Sequence, residues 1–177
     1  VVLPQTNRRT HKDAVSGVVC ILYNNYSGAA SIQDPGICDL AVFPNDLPLA
    51  TRQLIISNNR IVDLPALQLN YLSDLVYLDC SNNSLSEISE STFGNLRKLA
   101  YLDLSFNSLL QIEDRTFGPL ASLVMLRLTD NPSLAEIHPD AFAENVALQV
   151  LDVISLLRPR AKDAPRSYHL LLSHQLI

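Results

Sequence analysis

Few side chains in this chain are placed for chemistry. Four histidines stand at His11, His138, His169 and His174. A transition-metal site gathers three or four nitrogen, sulfur or carboxylate ligands at recurrent spacings. No pair of these histidines has such a spacing on a recognisable element, so the sequence predicts no metal and no cofactor. Asp79, Asp103 and Asp152 occupy one position of a regular pattern. Paired carboxylates would suit acid–base work, but a solvated surface row is the plainer reading. Only five glycines are present, which leaves little material for a phosphate-cradling loop, and there is no nucleophile elbow. The sequence predicts no catalytic residue and no enzyme.

Two further groups bear on covalent chemistry. Cysteines stand at Cys20, Cys38 and Cys80, and an odd count allows at most one internal disulfide plus a thiol. Asn25, in Asn-Tyr-Ser, and Asn82, in Asn-Asn-Ser, begin N-glycosylation sequons.

Composition narrows the class. The 177 residues fit one domain, and 47% hydrophobic with 18% charged residues is enough apolar material for a core. A net charge of -5 with no basic stripe argues against nucleic acid as partner. No run reaches the ~18 apolar residues of a membrane span, so any membrane attachment requires a segment outside this chain. Arg8-Arg9 followed by the apolar run 14–23 has some features of a signal peptide, with Ala29-Ala30 near a cleavage point. Ser16, Gly17 and Cys20 interrupt that run, which favours a strand of a capping segment.

The element that organises the chain is a repeat. Leu75-Val-Tyr-Leu78-Asp-Cys80-Ser-Asn-Asn83, Leu99-Ala-Tyr-Leu102-Asp-Leu104-Ser-Phe-Asn107 and Leu123-Val-Met-Leu126-Arg-Leu128-Thr-Asp-Asn131 align without gaps. A weaker copy, Thr51-Arg-Gln-Leu54-Ile-Ile56-Ser-Asn-Asn59, precedes them, and Leu148-Gln-Val-Leu151-Asp-Val153 begins a fifth. The starts at 51, 75, 99, 123 and 148 give intervals of 24, 24, 24 and 25. Alternate residues of a strand face opposite sides, so Leu54/Ile56, Leu78/Cys80, Leu102/Leu104 and Leu126/Leu128 are predicted to point inward. Cys80, at a leucine position, is predicted to be a buried, inert thiol. Asn59, Asn83, Asn107 and Asn131 are predicted to bond backbone groups of their own turn and the next, as a ladder.

This pattern, L-x-x-L-x-L-x-x-N-x-L, resembles the leucine-rich repeat family over about residues 45–153. Phe93, Phe117 and Phe142 at one place in the second half of the repeat are similar to the typical extracellular subclass. That subclass includes Toll-type receptors, Slit-like proteins, neuronal adhesion receptors and insect immune proteins. The resemblance implies an α/β solenoid of about five turns, curved, with short parallel strands on its concave face and irregular or 3-10 turns on its convex face. It divides the chain into an N-terminal arm (1–19), a cap (20–50), the repeats (51–155) and an atypical tail (156–177). It also implies a Cys20–Cys38 disulfide in the cap, although the usual cap carries four clustered cysteines. Past Val153 the repeat is lost and no cysteine cap follows, so the tail is expected to be a truncation or misjoining, or else to fold back over the last turn.

Outward residues then form three rows across the strands. The first is Gln53, Tyr77, Tyr101, Met125 and Val150; the second is Ile55, Asp79, Asp103, Arg127 and Asp152; the third is Ser57, Ser81, Ser105, Thr129 and Ile154. Tyrosine and methionine side by side are favoured in the cores of interfaces. The expected function is a protein-binding module of a cell-surface or secreted receptor, adhesion or immune protein, holding a protein ligand or co-receptor on the first two rows. The alternative is an intracellular scaffold or regulatory subunit in the cytoplasm, or a fragment with no function of its own. The oligomeric state is not legible.

Overall fold

The computed structural model describes the backbone of residues 21–23, and residues 40–45 and 47–153. Cys20, Cys38, Asn25, His11, His169, His174, Ile154, the N-terminal arm and the 156–177 tail lie outside the described residues.

Five short parallel strands stack into one sheet: β2 (Gln53–Ile55), β3 (Tyr77–Asp79), β4 (Tyr101–Asp103), β6 (Met125–Arg127) and β8 (Val150–Asp152). They bound four full turns. Equivalent residues pair in register: Gln53 opposite Tyr77, Tyr77 opposite Tyr101, Tyr101 opposite Met125, and Met125 opposite Val150. The other edge of β2 is taken by β1 (Ile21–Tyr23), which runs antiparallel with Leu22 opposite Leu54. On the far side of each turn the chain is irregular. Among the described residues it holds one five-residue helix, α1 (Ala66–Asn70), and a two-stranded ladder of β5 (Gln111–Ile112) and β7 (Glu136–Ile137). Elsewhere it closes through i→i−3 bonds, such as Leu96 N to Phe93 O at 3.1 Å and Leu120 N to Phe117 O at 3.0 Å. These are the 3-10-type contacts of tight turns. None of the described helices is long and apolar enough to cross a membrane.

The period-2 strand and the fixed repeat length dictate this arrangement. Leu54, Ile56, Leu78, Cys80, Leu102, Leu104, Leu126 and Leu128 are all fully buried between the two sides. Full burial of one such side chain stabilises by about 1.5–3 kcal/mol, too little for one turn to offset the entropy of ordering its 24 residues. Stacking turns extends one core through all of them. Phe93, Phe117 and Phe142 form a second spine, with ring centroids 5.9 Å and 5.5 Å apart. At the first turn Phe43 enters the core. At the last, Leu148, Leu151 and Val153 are only half-buried.

The asparagine ladder differs in direction from the sequence expectation. Each side chain bridges its own turn to the preceding one. Asn83 Oδ1 accepts Ile61 N at 3.0 Å while its Nδ2 donates to Ile56 O and Cys80 O. Asn131 repeats this with Leu109 N, Leu104 O and Leu128 O. Asn59, at the first turn, instead accepts Leu40 N at 3.0 Å and so ties the incoming chain to the stack. In this stack the open backbone N–H within reach of each amide oxygen belongs to the preceding turn, at Ile61, Leu85 and Leu109.

Candidate partner-binding surface

The sheet face carries the residues expected to meet a partner, and its geometry sorts them. Tyr77 and Tyr101 stack face to face, centroids 4.3 Å apart and planes 1° from parallel. Parallel strands in register force this, because equivalent Cβ atoms sit ~4.8 Å apart along the stack. Gln53 and Met125 extend the row half-buried on either side, and Val150 ends it exposed.

Beside the tyrosines lies a charged network. Tyr101 OH donates to Asp103 Oδ2 at 3.1 Å, and Arg127 Nη1 donates to the same oxygen at 2.9 Å. Asp103 Oδ1 accepts Ser105 N at 2.9 Å. Arg127 Nε also lies 3.5 Å from Asp152 Oδ2, so the guanidinium spans both carboxylates. Asp79 turns its carboxylate onto Ser81, accepting from N at 2.9 Å and Oγ at 2.6 Å. Two sequence expectations are corrected here. Asp103 is 4% exposed, so it holds Tyr101 and Arg127 in place and is not a contact residue. The third row is not an open surface, since Ser57, Ser105 and Thr129 are buried where the chain turns off the sheet. The outward face is therefore Gln53, Ile55, Tyr77, Asp79, Tyr101, Met125, Arg127, Val150 and Asp152.

Burial also sets the acid–base behaviour of this face. Desolvation, with help from the neighbouring Tyr101 and the aspartates, pushes the Tyr77 phenol well above its usual range. Desolvation raises Tyr101 as well, against hydrogen bonds from Arg127 and Tyr77 that lower it. Burial likewise pushes up the Cys80 thiol, which is free and fully enclosed. Groups whose folded pKa is raised hold their protons more tightly in the folded state. Their stabilisation is complete below the unfolded pKa and is lost as pH rises past it. Denaturant midpoints should therefore hold to about pH 8.5–9 and fall above it as thiol and phenols ionise in the unfolded chain. Tyr77→Phe should flatten the part of the decline above about pH 10. An identical slope in that variant would count against this account.

Elsewhere, among the described residues, Asp114, His138 and Asp140 bring one potential ligand atom each within 4.8 Å of one another. His138 Nδ1 is 3.8 Å from Asp114 Oδ1 and accepts Asp140 N at 3.2 Å. Its lone pair is thus already engaged by the chain. Two details were not anticipated from sequence. Asn145, at the position of Leu96 and Leu120, is buried and donates to Phe117 O at 2.7 Å and Leu120 O at 3.1 Å. Phe106 is exposed with a left-handed backbone, φ 56°. The first breaks a leucine position and so left a signal in the repeat. The second was visible only as a phenylalanine where the other turns have Asn58, Asn82 and Asp130.

Comparisons with known proteins agree with this architecture. A profile of leucine rich repeats matches residues 51–109 and 97–155. Leucine-rich repeat-containing protein 52 of Mus musculus is 62% identical over 42 residues, which is 24% of this chain and 13% of that protein. Its Homo sapiens counterpart is 57% identical over 42 residues, again 24% and 13%. The chain thus matches about an eighth of the length of these relatives. Among solved structures, the crystal structure of the TLR13-ssRNA13 complex contains a chain that superposes with a TM-score of 0.54 at 33% identity. That match covers 61% of this chain and 15% of the other. With a repeat profile spanning more than half of its length, and the stacked turns that such a profile demands, the chain belongs to the leucine-rich repeat family.

Proposed function

We propose that this chain is a protein-binding module of a cell-surface or secreted receptor, adhesion or immune protein, and that its partner is held on the sheet face. The observation that carries this reading is the Tyr77–Tyr101 stack, fixed by register and by the Asp103 hydrogen bond and flanked by Met125 and Arg127. Rigid tyrosines lose little entropy on binding and offer apolar area with a polar tip, the properties of interface hot spots. The similarity to a chain of the TLR13-ssRNA13 complex supports a receptor-type role. RNA is the partner in the TLR13-ssRNA13 complex. Here the outward face sets Asp79 and Asp152 beside Arg127, which is itself bonded to the buried Asp103, and phosphate recognition needs the opposite balance.

The test is a screen of the secreted full chain against an array of recombinant extracellular proteins, repeated with Tyr77→Ala/Tyr101→Ala. Binding of the hit should fall by roughly thirtyfold or more while the circular dichroism spectrum is kept. A hit that binds the double variant as well as the parent would remove the sheet face from the proposal. Surface biotinylation of cells expressing the native gene tests location separately, and a purely cytosolic product would leave the intracellular scaffold as the reading.

A further inference from the structure

We propose that Asn82 carries an N-linked glycan and that Phe106, one turn further along, is the platform for its first N-acetylglucosamine. This rests on the secretory routing proposed above. Asn82 opens the sequon Asn82-Asn83-Ser84, and both Asn82 and Ser84 are exposed. Asn82 N donates to Ser105 O at 2.9 Å. Asn82 and Phe106 therefore occupy matched positions on turns ~4.8 Å apart.

Phe106 is the anomaly that points to a ligand. The residue before each ladder asparagine is left-handed: Asn58 at φ 57°, Asn82 at 50°, Phe106 at 56° and Asp130 at 53°. Asparagine and aspartate tolerate that conformation through local hydrogen bonds, whereas a bulky side chain is strained in it. The phenylalanine ring is also 53% exposed. It is outside the ring stacks formed by Tyr77, Tyr101, Phe93, Phe117 and Phe142. A strained residue that also leaves an aromatic face in water is the kind of outlier from which function is inferred.

The neighbouring amide is oriented to supply the missing contact. Asn82 Nδ2 donates to Asn58 Oδ1 at 2.7 Å, on the side away from Phe106. In the transfer, Nδ2 attacks the anomeric carbon of a diphosphate-activated oligosaccharide. The N–C bond forms, the C–O bond to the diphosphate breaks, the diphosphate leaves with its electron pair, and one Nδ2 proton goes to base. The second Nδ2 hydrogen remains for Asn58. Because that bond anchors the amide, the sugar departs from the opposite side of the nitrogen, toward the turn that bears Phe106. There the C–H face and acetamide methyl of the first sugar cover the ring.

The experiment uses the full chain directed into the secretory pathway of mammalian cells behind a fused leader, as four forms: parent, Ser84→Ala, Phe106→Gly and the double variant. Glycine accepts the left-handed backbone and, unlike asparagine, creates no new sequon with Asn107 and Ser108. Peptide mapping should find Asn82 occupied in the parent and in Phe106→Gly. Loss of the sequon in Ser84→Ala should lower the melting temperature by about 2–5 °C but leave the Phe106→Gly background unchanged. The acetyl methyl resonance of the first sugar should be shifted upfield in the parent and not in Phe106→Gly. An unoccupied Asn82 on this routed material, or an equal glycan effect with and without the ring, would overturn the proposal. A cytosolic native product would overturn the secretory reading and, with it, the glycan on the native protein.

Discussion

Replacing Phe117 by alanine should be the most damaging single change in the chain, lowering stability by about 3–5 kcal/mol. The ring is fully buried and stands at the centre of the far-side spine, stacked on Phe93 at 5.9 Å and on Phe142 at 5.5 Å. Truncation removes the transfer energy of the ring, leaves a cavity, and breaks two aromatic contacts that each contribute ~0.5–1.5 kcal/mol beyond area. Total stability of a domain this size is only about 5–15 kcal/mol, so the loss is a large share of it. In a stack where each turn touches only its neighbours, damage at one interface also uncouples the turns on either side. The melting temperature should drop by ~15 °C or more, and the transition should broaden. Phe117→Leu, which refills most of the volume, should recover more than half of the loss. Equal melting of Phe117→Ala and the parent would mean that the sheet side alone holds the solenoid together.

The sequence displayed the core of this fold because each inward position is dictated locally and then repeated. Leu78, Leu102 and Leu126 recur every 24 residues and lie in register on adjacent strands. The ladder asparagines were legible for the same reason. Their direction was not, since a sequence period is symmetric and only the stacking shows which neighbouring turn presents open backbone groups. The binding face was half legible. Tyr77 and Tyr101 were identifiable as neighbours, but Asp103 was placed among the contact residues although Tyr101 and Arg127 hold it buried. Alternation assigns a side of the strand and not the depth to which a longer neighbour covers a shorter one. Ser105 and Thr129 show a second limit: the strand ends at residue 103 or 127, so period-2 reasoning stops applying two residues later. The strain at Phe106 depends on a dihedral angle that no periodicity encodes.

Asn107→Ala should be nearly as damaging as Phe117→Ala, by about 2–4 kcal/mol, for a different reason. Asn107 Oδ1 accepts Leu85 N at 3.0 Å. Its Nδ2 lies within hydrogen-bonding distance of Cys80 O, Leu104 O and Ser105 O at 3.1, 3.0 and 3.1 Å. Two hydrogens thus serve three carbonyls, and every partner is backbone buried between turns. Alanine leaves Leu85 N without its acceptor, and an unsatisfied buried group costs roughly 1–3 kcal/mol. It also strips one donor each from Cys80 O, Leu104 O and Ser105 O, which keep Asn83 Nδ2, Asn131 Nδ2 and Asn82 N. Asn107→Asp discriminates between lost volume and lost bonding, because it keeps the shape and the acceptor but removes both donors. It should be at least as destabilising as alanine at neutral pH, with a negative charge set among carbonyl oxygens. Asn59→Ala should cost less, since among the described residues its side chain reaches a neighbouring segment only through the bond accepted from Leu40 N. Denaturant midpoints of the three variants decide the matter. If Asn107→Asp proves as stable as the parent, the ladder works by filling space, and hydrogen bonding between turns is not what fixes the spacing of the strands that carry Tyr77 and Tyr101.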